Sequence, residues 1–274
     1  MTSVPWVEKY RPTEFEKIVL EDVNKKILES MLKTNIFPNL LIYGPPGTGK
    51  TTTIINIINK YQKQNNTPNK GLVIHLNASD ERGIDIIRNQ ITNFVNSKPL
   101  FTHGIKFVIL DEVDYMTKSA QQALKYLLQE VNTDVRFCLI CNYISRIDVS
   151  LQNEFVRLRF CQLPKKDIYS FLNKIVKEEK IDVKKEQIYA IQEYFKSDIR
   201  SMINYMQTNQ NNIKNYKIIN RKVWENIYKT IINPNNSINK LYKYIIELSK
   251  EYNTEPISLM ISLLMYIIYN RTEL

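Results

Sequence analysis

The chain has 274 residues, and its content of 43% hydrophobic and 24% charged residues supports a buried core and excludes a wholly disordered protein. Its length corresponds to one or two domains, and its 6 glycines and 10 prolines exclude collagen-like or low-complexity architectures. The formal net charge of +10 favours a polyanionic partner.

The three cysteines are too few and too clustered for the disulfide framework of a secreted protein. Cys138 and Cys141 form a C-x-x-C inside a predicted strand, where residues three apart point to opposite faces, so we interpret both as structural thiols. The opening residues lack a secretion signal, and the longest apolar run, 257–269, is too short to span a bilayer. We therefore expect a soluble protein in a reducing compartment.

The first 160 residues alternate between short apolar, β-branched runs and longer amphipathic runs. Unbroken apolar strands that alternate with helices predict an α/β fold with a parallel five-stranded sheet covered on both faces. The carboxyl ends of its strands are the expected binding crevice. The predicted strands are 39–43, 72–76, 106–110, 135–141 and 156–160, and the predicted helices between them are 51–62, 84–95 and 119–131.

Beyond residue 164 the strand signals stop, and apolar residues recur at helical spacing as far as about residue 224. The turn cluster Asn233-Pro-Asn-Asn236 marks a second boundary, which two more predicted helices follow at 238–252 and 256–269. These changes predict an α/β domain over 1–164, a small helical domain over 165–232 and a short all-α segment over 233–274.

A phosphate-binding loop is predicted at Gly44-Pro-Pro-Gly-Thr-Gly-Lys-Thr51, which matches G-x-x-x-x-G-K-[ST] between a predicted strand and a predicted helix. Its glycines let backbone N–H groups converge on a phosphate, and the helix N-terminus adds positive potential. Lys50 is expected to reach the β- and γ-phosphates, and the Thr51 hydroxyl to bind Mg²⁺. The predicted nucleotide contacts of this loop are Gly44, Pro45, Pro46, Gly47, Thr48, Gly49, Lys50, Thr51 and Thr52.

Two carboxylates end the predicted strand Phe107-Val-Ile-Leu-Asp-Glu112. Asp111 at the strand tip is expected to hold Mg²⁺ through water, and Glu112 to polarise the attacking water as a general base. A kinase acting on a small acceptor would not need Glu112, so the pair favours hydrolysis. Asn142 follows the next predicted strand, where its amide is expected to orient that water or to contact the γ-phosphate.

Five segments between residues 4 and 160 carry more specific motifs: Pro5-Trp-Val-Glu-Lys-Tyr-Arg-Pro12, Tyr43-Gly-Pro-Pro-Gly-Thr-Gly-Lys-Thr-Thr52, Leu76-Asn-Ala-Ser-Asp-Glu-Arg-Gly-Ile-Asp85, Leu110-Asp-Glu-Val-Asp114 and Cys141-Asn-Tyr143. In these segments the chain resembles the AAA+ ATPases, and specifically the small subunits of replication factor C, the sliding-clamp loader. The Asn-Ala-Ser-Asp box and the Trp-Val-Glu-Lys-Tyr-Arg-Pro opening are not general AAA+ features. The resemblance implies an AAA+ P-loop domain, a helical lid domain and a helical collar.

The resemblance implies a subunit of a hetero-pentamer that binds ATP and Mg²⁺ at subunit interfaces, opens a ring-shaped clamp and places it on primer–template DNA. It implies a nuclear location in a eukaryotic cell, and otherwise a cytoplasmic one or a viral replication site. It places Val7, Tyr10, Arg11 and Pro12 around the adenine and phosphates. Arg200, in Ser197-Asp-Ile-Arg200, matches the lid arginine that senses the γ-phosphate, although the family usually has glycine where Ser197 stands.

One departure from the family concerns the arginine that small subunits insert into a neighbour's ATP site. The family carries it in a Ser-Arg-Cys box before the last strand, whereas this chain reads Asn153-Glu-Phe155. A carboxylate therefore stands where a cation should stabilise transition-state charge, and we predict that this chain keeps its own ATP site but donates no finger. Recruitment of Arg157 is the alternative, although its position favours a place in the strand.

The resemblance also implies sequence-independent contacts with one strand of duplex DNA through Arg82, Arg88 and Arg146. Such contacts neutralise phosphates without reading bases, so binding should depend on salt and not on sequence. His75 and His103 lack cysteine or carboxylate partners at ligand spacing, so we interpret them as structural.

Two other functions remain open. One is an ATP-binding assembly subunit that hydrolyses little, which Glu154 and a collar about half the usual length favour. The other is a different AAA+ machine acting on DNA, such as a branch-migration helicase, which the Asn77-Ala-Ser-Asp80 box disfavours. The residues Lys50, Thr51, Asp111 and Glu112 together favour hydrolysis.

Overall fold

A computed structural model describes residues 4–79, 84–97, 104–130, 134–210, 219, 221–252 and 254–270, and for residues 84–88 and 221–222 it describes the backbone alone. The chain divides into two compact units. The first comprises Met1–Ile168 and Ser197–Ser201, and the second comprises Tyr169–Lys196 and Met202–Leu274.

The first unit is built on a five-stranded sheet in which all neighbouring strands are parallel. The strand order is β2-β3-β4-β1-β5, so β4 is central and β1 lies between β4 and β5, two strands that follow it by about a hundred residues. The predicted parallel sheet is confirmed. The strands are β1 (Leu40–Tyr43), β2 (Val73–Asn77), β3 (Lys106–Asp111), β4 (Val135–Cys141) and β5 (Val156–Arg159).

Both faces of the sheet are buried. Side chains of successive strand residues point to opposite faces, and in the apolar strands they pack into two different clusters of buried apolar residues. Leu40 and Ile42 belong to one cluster, whereas Leu41 between them belongs to the other. Cys138 and Cys141 are likewise buried in different clusters, and burial raises the pKa of both thiols, to about 12 for Cys141. Their interpretation as structural, divergent thiols fits this placement.

Helices cover the two faces of the sheet in the first unit. One cluster contains buried residues of α2 and α3, and the other contains buried residues of α4, α5 and α6. The sequence did not predict α2, whose residues Leu28, Met31 and Leu32 are buried in the first cluster. The bounds are α1 (Trp6–Lys9), α2 (Asp22–Thr34), α3 (Lys50–Gln64), α4 (Ile84–Asn96), α5 (Lys118–Glu130) and α6 (Val149–Gln152).

In the described part of the chain after β5 the elements are helices, in agreement with the predicted change of structure after residue 164. Their bounds are α7 (Lys165–Glu178), α8 (Lys185–Phe195), α9 (Ile199–Thr208), α10 (Arg221–Ile232), α11 (Ile238–Glu251) and α12 (Pro256–Asn270). Residues of α10, α11 and α12 share one buried cluster in the second unit, which includes Ile227, Leu248 and Leu263. Among the described helices, none combines the length and the apolar character needed to cross a membrane.

Candidate nucleotide-binding site

The loop between β1 and α3 curls tightly because all three of its glycines have backbone torsions that other residues rarely adopt. The φ angles are 145° at Gly44, 72° at Gly47 and 84° at Gly49. A Cβ atom at Gly44 would lie 1.9 Å from the carbonyl oxygen of Phe160, so the loop also approaches the end of β5 too closely for a side chain. The result is a concave loop that opens directly into the N-terminus of α3.

Lys50 lies inside this loop and is only 8% exposed. Its ammonium group donates three hydrogen bonds of 2.8 Å, to the carbonyl oxygens of Gly44 and Pro45 and to Oδ1 of Asn142. Burial lowers the pKa of Lys50, while the nearby carboxylate of Asp111 opposes that shift. A buried cation held by neutral oxygens is well placed to receive an anion, because a phosphate would restore its charge balance.

Thr51 and Asp111 join the first turn of α3 to the tip of β3. The Thr51 hydroxyl donates to Oδ2 of Asp111 over 2.7 Å, and the backbone N–H of Glu112 donates to Oδ1 over 2.9 Å. Burial alone would raise the pKa of Asp111, but hydrogen bonds from His75, Thr51 and the Glu112 N–H outweigh it, and the pKa is lowered. Asp111 is therefore an ionised carboxylate beside a hydroxyl.

His75 lies on β2, the strand next to β3, and its Nε2 atom is 3.9 Å from Oδ2 of Asp111. No cysteine or carboxylate stands at ligand spacing from this histidine in the sequence, so spacing alone does not predict its approach to Asp111. The pairing of Asn77 with Asp111 across the two strands explains the proximity, since it brings the carboxyl end of β2 level with that of β3. His103 lies outside the described residues.

The residues after Asp111 form a strained turn. Glu112 adopts a left-handed conformation, with φ 56° and ψ 36°, directly before a short 3₁₀ turn at Val113–Tyr115. Backbone strain of this kind is concentrated at functional sites. Asp114 in the same turn is buried, and its Oδ2 accepts the backbone N–H groups of Asn142 and Tyr143 over 3.4 and 3.3 Å. Asp114 thus ties the end of β3 to the end of β4, a role that sequence reasoning missed.

The N-terminal segment is anchored on α3. Nε of Arg11 donates to the Thr52 hydroxyl over 3.2 Å, and the Asn56 side chain donates to the carbonyl oxygen of Pro12 over 2.9 Å. Val7 and Tyr10 are half-buried in the same segment. The segment predicted to surround the adenine is therefore attached to the helix that opens at the phosphate loop.

Residues Ser197–Ser201 belong to the first unit and also reach the phosphate loop. The N–H of Ile199 donates to the carbonyl oxygen of Gly47 over 3.2 Å, and Asp198 caps α9 by accepting from the N–H and hydroxyl of Ser201. Ser197 accepts a hydrogen bond from the backbone of Leu163. Arg200 is exposed and lies close enough to lower the pKa of Lys50, although burial is the larger cause.

The predicted DNA contacts are only partly within the described chain. Arg146 is exposed on a short 3₁₀ turn that follows β4. Arg82 lies outside the described residues, and Arg88 lies on α4 but its side chain is not described. Glu154, the residue at the expected finger position, is exposed between α6 and β5.

The site fits a divalent metal that is shared with a substrate and not one caged by protein alone. Among the described residues, no cluster of three or more histidine, cysteine or acidic side chains could hold a metal by itself. Mg²⁺ at phosphate sites takes one or two protein oxygens and completes its shell with water and phosphate oxygens. The adjacent hydroxyl of Thr51 and ionised carboxylate of Asp111 are such a donor pair.

Comparison with known proteins gives one family match and a consistent set of relatives. Residues 40–163 match the ATPase family associated with various cellular activities (AAA). The chain is 39% identical over 206 residues both to replication factor C subunit 3 of Schizosaccharomyces pombe and to replication factor C subunit 5 of Homo sapiens. It is also 39% identical over 212 residues to replication factor C small subunit 2 of Pyrobaculum aerophilum.

These alignments confirm the resemblance and the AAA+ fold class that the sequence predicted. The alignment with the Schizosaccharomyces pombe subunit covers 75% of this chain and 59% of that protein. The corresponding shares are 75% and 60% for the human subunit, and 76% and 64% for the Pyrobaculum aerophilum subunit. The chain thus spans about three-fifths of the length of the relatives that it matches.

Proposed function

We propose that the chain is an ATP-hydrolysing subunit of a clamp loader, because residues 40–163 match the AAA ATPase family and the chain resembles replication factor C small subunits. Its complex would be a hetero-pentamer that opens a sliding clamp and loads it on primer–template DNA. The observation that carries the proposal is the junction of Lys50, Thr51, Asp111 and Asn142 at the carboxyl ends of β1, β3 and β4.

ATP binding depends on the phosphate loop and the segment anchored beside it. The backbone N–H groups at the start of α3 donate to phosphate oxygens, and Lys50 exchanges a neutral oxygen partner for a β- or γ-phosphate oxygen. The N-terminal residues Val7–Pro12 enclose the adenine, held in place by the bond between Arg11 and Thr52.

The Thr51 hydroxyl and, through water, the Asp111 carboxylate would hold Mg²⁺. When bound, this ion neutralises charge on the phosphate oxygens. The lowered pKa of Asp111 supports the role, because the carboxylate is ionised well below neutral pH. The bond between Thr51 and Asp111 fixes both oxygens beside the phosphate loop.

For hydrolysis, Glu112 accepts the proton of the attacking water, and Asn142 orients that water or the γ-phosphate. Asn142 is positioned by its bond to Lys50 and by the link from its N–H to Asp114. Arg200 senses the γ-phosphate from the start of α9, which the bond between Ile199 and Gly47 attaches to the phosphate loop.

Glu154 makes this subunit an acceptor of an arginine finger and not a donor. An arginine finger contributes about 10³–10⁵ in rate, or roughly 4–7 kcal/mol, by neutralising transition-state charge. An exposed carboxylate at that position repels phosphate instead. Arg157 is an inadequate substitute, because it lies on β5 and its Nη1 atom is 3.5 Å from the side-chain oxygen of Gln152.

The DNA and subunit contacts follow from the same assignment. Arg146, with Arg82 and Arg88, contacts phosphates of one duplex strand without reading bases. Residues 165–232 form the lid and residues 233–274 contribute to the collar, where α12 exposes Ile257, Ile261 and Ile268 for contacts with other subunits. The complex works in the nucleus if the host is a eukaryotic cell.

ATPase activity, measured in the complex with the ATP sites of the partner subunits disabled and with or without clamp and primed DNA, tests the proposal. We expect turnover that primed DNA and clamp stimulate and that Glu112→Gln abolishes while ATP binding remains. Unchanged turnover in Glu112→Gln would favour the alternative of an assembly subunit. Stimulation by branched DNA without a clamp would favour a different AAA+ machine.

A further inference from the structure

Arg146 lies over the rings of two exposed tyrosines. Its guanidinium carbon is 5.0 Å from the ring centre of Tyr143 and 5.8 Å from that of Tyr115. Both distances fall within the range of a cation–π interaction. The two rings are 57% and 58% exposed, so this cluster, which we call the Tyr115–Tyr143–Arg146 cluster, faces solvent.

The backbone beneath the cluster is fixed by hydrogen bonds. Asp114 accepts the N–H of Tyr143, which links the turn carrying Tyr115 to the turn carrying Arg146. The N–H of Arg146 donates to the carbonyl oxygen of Tyr143 over 3.1 Å, and its own carbonyl accepts from the Gln121 side chain over 3.1 Å. The backbone of this cluster is therefore fixed, and only the side chain of Arg146 can change its conformation. The rings of Tyr115 and Tyr143 restrain that side chain.

The charge of Arg146 is available to a ligand. Among the residues that the structure describes, no carboxylate forms an ion pair with it. Contact with an aromatic ring uses the face of a guanidinium, whereas its N–H donors lie in the plane and point outward from the edge. The donors of Arg146 can therefore bind two oxygens of a phosphate while the face contacts a ring.

We propose that Tyr115 and Tyr143 are positioning residues that hold Arg146 ready for a phosphate of the DNA backbone. The inference rests on the proposed function, because it assumes that Arg146 contacts DNA. A side chain already confined to one arrangement loses less conformational entropy on binding, so the tyrosines strengthen a contact that they do not make themselves. They act through the arginine and do not stack on bases.

Binding of the assembled complex that contains this chain, with ATP and Mg²⁺, to a primer–template duplex at several salt concentrations tests the inference. We expect Arg146→Ala to weaken binding and to reduce the salt slope by about one, as for one lost phosphate contact. Tyr143→Ala and Tyr115→Ala should each weaken binding about two- to fivefold. Tyr143→Phe keeps the ring and should bind as the unchanged chain does.

The control is Tyr126→Ala, which removes a tyrosine that is 64% exposed on α5. It should leave DNA binding unchanged. Thermal midpoints and ATP affinity of all variants establish that each one is folded.

A double-mutant cycle separates positioning from direct contact. In the Arg146→Ala background, Tyr143→Ala should cause no further loss of affinity. A further loss would overturn the inference, because the ring would then contact DNA on its own. The inference would also be overturned if the tyrosine variants bound DNA with normal affinity while Arg146→Ala bound it more weakly. If the unchanged chain, in its complex, binds no DNA at any salt concentration, the proposed function itself fails.

Discussion

Lys50 donates a hydrogen bond of 2.8 Å to Oδ1 of Asn142, and this bond joins the phosphate loop to the end of β4. The two residues are 92 positions apart in the sequence. Because the other two donors of the ammonium group are taken by Gly44 and Pro45, a phosphate must displace one of three neutral partners. The relationship makes separate predictions for the two residues.

Replacing Lys50 by methionine should weaken ATP binding by about 10- to 150-fold. This range corresponds to the loss of roughly 1.5–3 kcal/mol, the free energy that a hydrogen bond to a charged group contributes. Equilibrium binding of a labelled ATP analogue measures this loss. Lys63→Met, an exposed lysine in the last turn of the same helix, is the matched control and should bind normally. Equal affinities for both variants would contradict the assigned role of Lys50.

Replacing Asn142 by alanine should reduce the turnover number more than the affinity for ATP. Loss of one oriented polar group at a reacting centre typically costs about 10²- to 10³-fold in rate. Single-turnover hydrolysis and ATP binding, measured side by side in the assembled complex, separate the two effects. Asn93→Ala, on the exposed face of α4, should change neither. A variant that loses affinity and keeps its rate would show that Asn142 serves binding alone.

Alanine substitutions at the three loop glycines should differ in cost. At Gly49 a Cβ meets nothing within 4 Å, so only the left-handed backbone opposes it, at about 1–2 kcal/mol. At Gly47 the Cβ would lie 1.8 Å from Oδ1 of Asp198, which must give up its cap of α9. At Gly44 the obstacle is the backbone oxygen of Phe160, which cannot rotate away.

The free energy of unfolding should therefore fall least for Gly49→Ala and most for Gly44→Ala. Denaturant titration of the three variants measures the order. If Gly49→Ala were the most destabilised, the close approaches at the other two glycines would not be what fixes the loop.

Much of the sheet could be predicted, because its strands are buried on both faces and read as continuous apolar runs. The strand order could not be read from the sequence, since Leu40 pairs with Cys138 on one side and Val156 on the other, and spacing does not encode those pairings. Helix α2 was not predicted, because Glu21 at its start is not one of the residue types that usually mark the start of a helix.

In the candidate site, motif spacing was enough to predict that Lys50, Thr51 and Asp111 lie together, although their chemical roles stay predictions. The approach of His75 to Asp111 carries no local signal, because it depends on the register of β2 against β3. The contact of Asp198 with Gly47 likewise carries no local signal, since the two residues are more than a hundred positions apart in the sequence. Local patterns report chemistry at one place in the chain, whereas these contacts arise from folding.

The lowered pKa of Asp111 predicts how its contribution to stability depends on pH. A carboxylate whose folded-state pKa lies below the unfolded value stabilises the fold above the unfolded pKa, and loses this contribution as the pH falls through the folded pKa. The difference in unfolding free energy between the unchanged chain and Asp111→Asn should thus be constant above about pH 5 and shrink below about pH 4.

Denaturant titration at a series of pH values measures this difference. Asp134→Asn, at an exposed residue before β4, is the control for the loss of a carboxylate at the surface. A difference that grows on acidification would mean that the folded state disfavours the ionised form of Asp111.

Replacing Glu154 by arginine should create the finger that the chain lacks. The residue is exposed and its N–H donates to the carbonyl oxygen of Leu151, so the substitution leaves the core untouched. In the assembled complex, with every other ATP site disabled, turnover at the site facing residue 154 should rise by up to about 10³-fold. Glu154→Gln removes the negative charge without adding a positive one and should give a much smaller gain. High turnover with the unchanged chain that Arg157→Ala abolishes would show instead that Arg157 supplies the charge from β5.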